Sequence, residues 1–368
     1  MTSAPPEPEG GNPRPEADLS RLRAIPVMGR RNKVMAGAFA GSPGPGGTFR
    51  EFMDSLPKIL EAESLRAVAR GVARASRLGR GVLWMLGGHT IKTGLAPLFI
   101  HMMERHAATF FAGNGSVAIH DYEIARWGGT SEDVESGLED GTFGMAEETG
   151  REMNEAIRVG AERGMGMGEA LGWALSRRND LAAPDRSLLL QAYLRGVCVS
   201  IHAAMGCEII HQHPSADGAS LGACSLRDFR RLAGWLPALH EGGAVLNIGS
   251  AVIMPEAFLK ALSVSRNLND GRPRRFLAAD FDMVRRYRPW MNVVLLPTRS
   301  GAGEGYHLTG HNEIMIPLLA WAVEERLAAE QEPPVAGGVQ PGEKEAHPGS
   351  KGRRPGSESG GCSESGLR

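Results

Sequence analysis

Three short stretches of this chain gather the side chains that proton transfer and charge recognition require. The first is His120-Asp121 with Glu123, directly after Gly113-Asn114-Gly115-Ser116. His120 and Glu123 are three residues apart and share a helical face, where the carboxylate can orient the imidazole. The second is residues 303–313, GEGYHLTGHNE. Its Glu304, His307, His311 and Glu313 are suited to binding an amine and managing its protons, and Glu313 equally suits the first turn of a following helix. The third is His211-Gln212-His213, with His202 and Cys207 nearby. On a strand the two histidines would face one side, as a metal requires. No further ligand has a recognisable spacing, so no metal is predicted. His213 is read as lining the cofactor or substrate pocket ahead of Asp217.

These groups need elements to hold them, and the pattern supplies an alternation. A helix is predicted over 52–77, a strand over Val82–Leu86, a helix over 95–106, a strand over Ala108–Ala112 and a helix from Val117. Residues 143–205 read as largely helical, and Glu208–His211 as a third strand. A helix over 225–240, the strand Ala244–Ile248, a helix over 255–265, the strand Met291–Leu296 and a helix over 312–327 complete the series. Such repetition predicts an α/β fold, a Rossmann-like, mostly parallel sheet flanked by helices. Glycine loops follow the strands at Gly87-Gly88-His89 with Gly94, at 113–121, at 215–222, at Gly249-Ser250 and at 300–305. Glycine lets the backbone approach a ligand and turns free N–H groups toward an anion, so a phosphate-bearing cofactor is expected there. No GxGxxG or GxxxxGK[ST] is present.

Residues 1–20 and 332–368 are rich in Pro, Gly, Ser and Glu and read as disordered tails around one domain, 21–331. The chain is 42% hydrophobic and 23% charged with a net charge of −1, which gives no reason to expect nucleic acid or an anionic membrane surface. No stretch reaches the ~20 apolar residues of a membrane span. Four cysteines without a CxxC pair, and no signal core, point to the cytoplasm. The acidic run 130–150 reads as a solvated helix opened by a capping box, Thr130-Ser131-Glu132-Asp133.

In order and spacing, the glycine loops resemble those of deoxyhypusine synthase and its bacterial relatives, over about Val82 to Pro317. Gly87 to Gly94 is similar to the family's first nucleotide turn, and 113–121 to its glycine loop ending in an acidic or His-Asp pair. Residues 216–222, ADGASLG, are similar to its Thr-Asp-Gly-Ser-Leu-Gly. Gly249-Ser250-Ala251-Val252 stands where the family has Gly-Gly-Gly-Val, and Ser300-Gly301-Ala302 matches its Ser-Gly-Ala. The resemblance implies NAD as cofactor, a polyamine substrate, aminobutyl transfer through an enzyme lysine, and a homotetramer. It places NAD at Gly87, Gly88, His89, Gly94, Gly113, Asn114, Gly115, Asp121, Asp217, Gly218, Ser220, Gly249 and Ser250.

The lysine-bearing segment of the family, Trp-Gly-Lys-Ile, is here Thr309-Gly310-His311-Asn312-Glu313-Ile314, and no lysine occurs between Lys260 and Lys344. The expectation is an NAD-dependent transferase acting on a small-molecule amine without a lysine imine. His311, His120 and Glu304 are its catalytic candidates. Asp121, Glu123, His213, Glu304, His307 and Glu313 are its substrate contacts. The rival is a non-catalytic nucleotide-binding protein, against which the polar composition of 303–313 speaks.

Overall fold

A computed structural model of the chain describes residues 15–299 and 302–329. Helices α1 (Phe49–Ser55) and α2 (Leu60–Arg77) precede β1 (Val82–Leu86), α3 (Gly88–Lys92), α4 (Ala96–Glu104), β2 (Phe110–Asn114) and α5 (Gly115–Trp127). Next come α6 (Val134–Asp140), α7 (Glu147–Glu162), α8 (Met167–Ser176), α9 (Leu188–Leu194), β3 (Cys198–His202) and α10 (Gly218–Trp235). The chain continues through β4 (Ala244–Ile248), α11 (Ile253–Leu268), β5 (Leu277–Asp282), a π-helix (Pro289–Leu295) running into α12 (Leu296–Arg299), β6 (Glu304–Thr309) and α13 (Asn312–Ala329).

The six strands form one sheet in the order β3-β2-β1-β4-β5-β6, every neighbouring pair parallel. This is the doubly wound Rossmann order, and the predicted α/β class is the observed one. All five residues of β1 are buried, as strands covered on both faces require. Val82, Trp84 and Leu86 face a core shared with Val72, Phe99, Val117, Leu171 and Val323. Leu83 and Met85 face a second core with Leu232, Met254, Phe258 and Val293. Each such fully buried side chain contributes about 1.5–3 kcal/mol.

Two strand expectations and one helix expectation are corrected. Residues 208–211 are not a strand; Ile209–His211 form a 3-10 turn, and the third strand is Cys198–His202, inside the stretch read as helical. Residues 291–296 lie in the π-helix and α12, because β5 and β6 already fill that side of the sheet and Val293 and Val294 bury against its face. The long helix expected over 52–77 breaks before Pro57 into α1 and α2. Among the described residues no helix is long and apolar enough to cross a membrane. Of the N-terminal tail only residues 15–20 are described, all exposed. The C-terminal tail, 332–368, and Ser300-Gly301 lie outside the described residues.

Candidate functional site

A sheet in this order has one switch point, between β1 and β4, where the chain leaves neighbouring strands toward opposite faces. Ligands of doubly wound sheets bind outside the carboxyl ends of the strands at that point. Gly87 leaves β1 there, its N–H donating to the Ile248 carbonyl at 2.9 Å. A Cβ on Gly87 would run into the Gly249 backbone, so two glycine turns touch where any side chain would part them. Gly249 has φ +63° and lies against Thr90 and Asn312. Gly88 opens α3 without a side-chain cap, packed on Ser116. Ser250 is buried, with its hydroxyl accepting from the Met254 N–H at 3.3 Å. Gly94 bends the chain at φ +85° away from any neighbour.

Beside this crevice lies a polar row that the sequence did not disclose. Asn247, Asp280 and His307 are register partners across β4, β5 and β6. Asn247 Nδ2 donates to Asp280 Oδ1 at 2.7 Å, and His307 Nδ1 is 2.8 Å from Asp280 Oδ2. A carboxylate only accepts, so Nδ1 donates to it, and in the neutral ring Nε2 is the acceptor. Thr309 Oγ1 stands 3.2 Å from that Nε2. Asp280 is fully buried and the His307 side chain 7% exposed. Two buried oxygens at the switch point, Asn247 Oδ1 and Asn312 Oδ1, have no hydrogen-bond partner among the described residues. Unpaired buried acceptors are costly, which marks them as waiting for a donor. An apolar run ending Ala-Ala-Asp280-Phe-Asp282 was the available signal for β5.

The β2 turn differs from its expected role. Glu208, 5% exposed, rests on Gly115 and accepts from the Gly115 N–H at 2.9 Å and the Ala204 N–H at 2.8 Å. The start of α5 thus holds the chain's own carboxylate, and Gly113, Asn114 and Gly115 present no open anion cradle. Asn114 Oδ1 accepts from Ser116 Oγ at 2.9 Å. Burial pushes the Glu208 carboxyl up, and His211 Nε2 lies 3.4 Å from its second oxygen.

Asp121 likewise faces inward. It is fully buried and accepts from Ser187 Oγ and Leu188 N at 2.6 Å and from Leu189 N at 3.0 Å, capping α9 from outside. Burial raises its pKa to about 6 while those three donors pull it down. It is therefore a structural cap, available to neither cofactor nor substrate. His120 does couple to Glu123, but through a hydroxyl. Thr130 Oγ1 donates to Glu123 Oε2 at 2.5 Å and stands 2.8 Å from His120 Nδ1. Thr149 donates to the other Glu123 oxygen at 3.0 Å. Desolvation, then the charges of Lys92 and His89 on α3, hold the His120 pKa down.

The remaining candidates scatter. Asp217 caps α10 through the N–H groups of Ala219 and Ser220 and the Ser220 hydroxyl, with Gly218 exposed in the first turn. His213 is fixed between Glu147 Oε2 at 2.8 Å and Ser215 Oγ at 2.7 Å. Glu304 sits at the amino end of β6, bonded to the Tyr306 hydroxyl at 2.9 Å, so the strand's length separates it from His311. His311, with its side chain 62% exposed, lies 3.5 Å from Glu313. Among the described residues no three His, Cys, Asp or Glu side chains converge as a metal set.

The chain is similar to a putative deoxyhypusine synthase from Entamoeba histolytica, at 13% identity over 75% of this chain and 93% of that one, with a TM-score of 0.43. It is also similar to ArgZ, an arginine dihydrolase from the ornithine-ammonia cycle in cyanobacteria, at 12% identity, TM-score 0.43, over 73% of this chain but 34% of that one. A conserved putative LOR/SDH protein from Methanococcus maripaludis S2 matches at 14% identity and TM-score 0.41, over 72% of this chain and 69% of its own. These are likenesses of fold alone. No family model matches the sequence, and no curated protein is significantly similar to it.

Proposed function

We propose that this protein is an NAD-dependent, deoxyhypusine-synthase-like enzyme. A hydride leaves the carbon beside a nitrogen of a polyamine or related amine, an acceptor amine adds to the resulting imine carbon as the original amine departs, and the hydride returns to the new C=N bond, with histidine managing the protons and no enzyme lysine carrying the group. The observation that carries the reading is the Asp280–His307 pair, buried at the carboxyl ends of the strands beside the switch point. Two unpaired buried oxygens and an uncapped helix start fit a dinucleotide there. Gly87, Gly88, His89, Gly249 and Ser250 would hold it with backbone groups, and Asn247 and Asn312 would accept its hydrogen bonds.

When bound, NAD supplies the hydride acceptor. His307 Nε2 takes the amine proton as the hydride departs, and Asp280 holds the imidazole in the tautomer that leaves Nε2 unprotonated and stabilises the imidazolium. His311 and Glu313, exposed after β6, meet the incoming amine. His120, tied through Thr130 to Glu123, is a second proton acceptor on the far side of the glycine turns. The active protein is a homo-oligomer.

The test is anaerobic incubation of the purified protein with NAD and a panel of di- and polyamines, followed by nicotinamide absorbance and product masses. His307→Ala is expected to lower turnover by about 10² or more, the scale of a lost general base. His311→Ala should cost less than about tenfold, as an exposed contact does. Borohydride should trap no aminobutyl-lysine. NAD binding without turnover of any amine would turn the reading toward the non-catalytic nucleotide-binding protein.

A further inference from the structure

A cleft of about 450 Å³ opens at the other end of the sheet, where the glycine turns and His307 have no part. Its walls come from the first residues of β2 and β3, from α8 and α9 on one face and from α10 on the other. The apolar floor is Phe110 and Trp235, ring centroids 5.0 Å apart, with Leu189, Tyr193 and Val197 beside them. Trp235 is fixed from behind, since a Cβ on Gly81 would meet its ring. At the rim Arg231 Nη2 lies 2.6 Å from Glu169 Oε2, with the two side chains 32% and 36% exposed. Behind Arg231 stands the buried carboxyl of Asp228, whose Oδ1 has no hydrogen-bond partner among the described residues. Cys198 contributes an uncharged wall, its thiol pushed up to about 12 by burial.

The cleft offers one cation and one anion side by side above an aromatic floor. A carboxylate alone would strip Glu169 of its partner, and an ammonium alone would strip Arg231. A zwitterion satisfies both, its carboxylate on Arg231 and its ammonium on Glu169. The volume lies within the range of small-molecule sites. We infer that this cleft binds a free amino acid with a large apolar or aromatic side chain, as a site separate from the proposed catalytic centre.

Calorimetry on the full-length protein tests this with phenylalanine, leucine, aspartate, 3-phenylpropionate and phenethylamine. Phenylalanine should bind with a Kd of about 1 mM or tighter. Each half-charged analogue and aspartate should bind at least about tenfold more weakly. Glu169→Gln and Arg231→Met should each lower phenylalanine affinity by about tenfold. Val197→Phe, which fills the cleft, should abolish it while thermal unfolding stays cooperative. No phenylalanine binding up to about 10 mM would overturn the inference. So would equal binding of 3-phenylpropionate, or full binding by Val197→Phe. Glu169 is part-exposed at the rim, so the result for Glu169→Gln does not depend on the folding of Val197→Phe.

Discussion

Asp121 and His307 show how far single residues could be read. Both stand out in the sequence as carboxylate and imidazole near glycine, yet their surroundings reverse their expected importance. Asp121 faces three donors at the start of α9, and nothing local in Ser187-Leu188-Leu189 announces a partner 66 residues earlier. Asp121→Ala would strand a hydroxyl and two N–H groups and should cost about 3 kcal/mol or more, measured by urea unfolding. A loss below about 1 kcal/mol would mean that water replaces the cap. Asp228 offers a second measurement. Its Oδ2 accepts from Ile201 N at 2.9 Å and Gly168 N at 3.1 Å, and burial raises its pKa from 3.8 to about 7. A raised folded-state pKa gives stability that is full below the unfolded value and is lost as pH rises through the folded one. Wild-type melting temperature should therefore fall between pH ~4 and ~7 relative to Asp228→Asn, which keeps the acceptor and does not titrate. Parallel curves would remove Asp228 from the pH response.

At the scale of elements, β1, β2 and β4 were legible because strands buried on both faces are written as unbroken apolar runs. The other three were hidden for different reasons. In β3, Cys198-Val199-Ser200-Ile201-His202 follows closely on the apolar helix α9 and blends into it. In β5 two alanines and two aspartates dilute the apolar signal, and β6 is a half-exposed edge whose polar residues read as a reactive loop. Missing β5 concealed Asp280, and taking β6 for a loop put Glu304 beside His311. The valine-rich run of the π-helix could not be told from a strand, since short apolar runs carry no period. The meeting of the two glycine turns is an element-level feature that can be tested. Gly87→Ala would force its methyl against the Gly249 backbone and should cost about 1–3 kcal/mol. It should also weaken NAD binding in calorimetry. Unchanged melting and affinity would show that the turns separate freely.

For the whole molecule, the strand order locates the ligand crevice even though only half the strands were placed from sequence. The alternation of elements fixed the class, whereas β3 and β5 had to be seen before the switch point and its polar row existed. If the dinucleotide binds there and only in the folded state, NAD at ~100 times its Kd should add about 2.7 kcal/mol of stability. A thermal-shift titration measures this, and a flat response would argue against the proposed site. The β2 turn should contribute nothing to that shift, because Glu208 already lies on Gly115. Glu208 is carried by the same chain, so its local concentration at the turn is fixed by tether geometry, on the order of millimolar or above, and dilution cannot lower it. A free anion competes against a rival that never diffuses away, and the turn stays closed to it at any abundance of the protein.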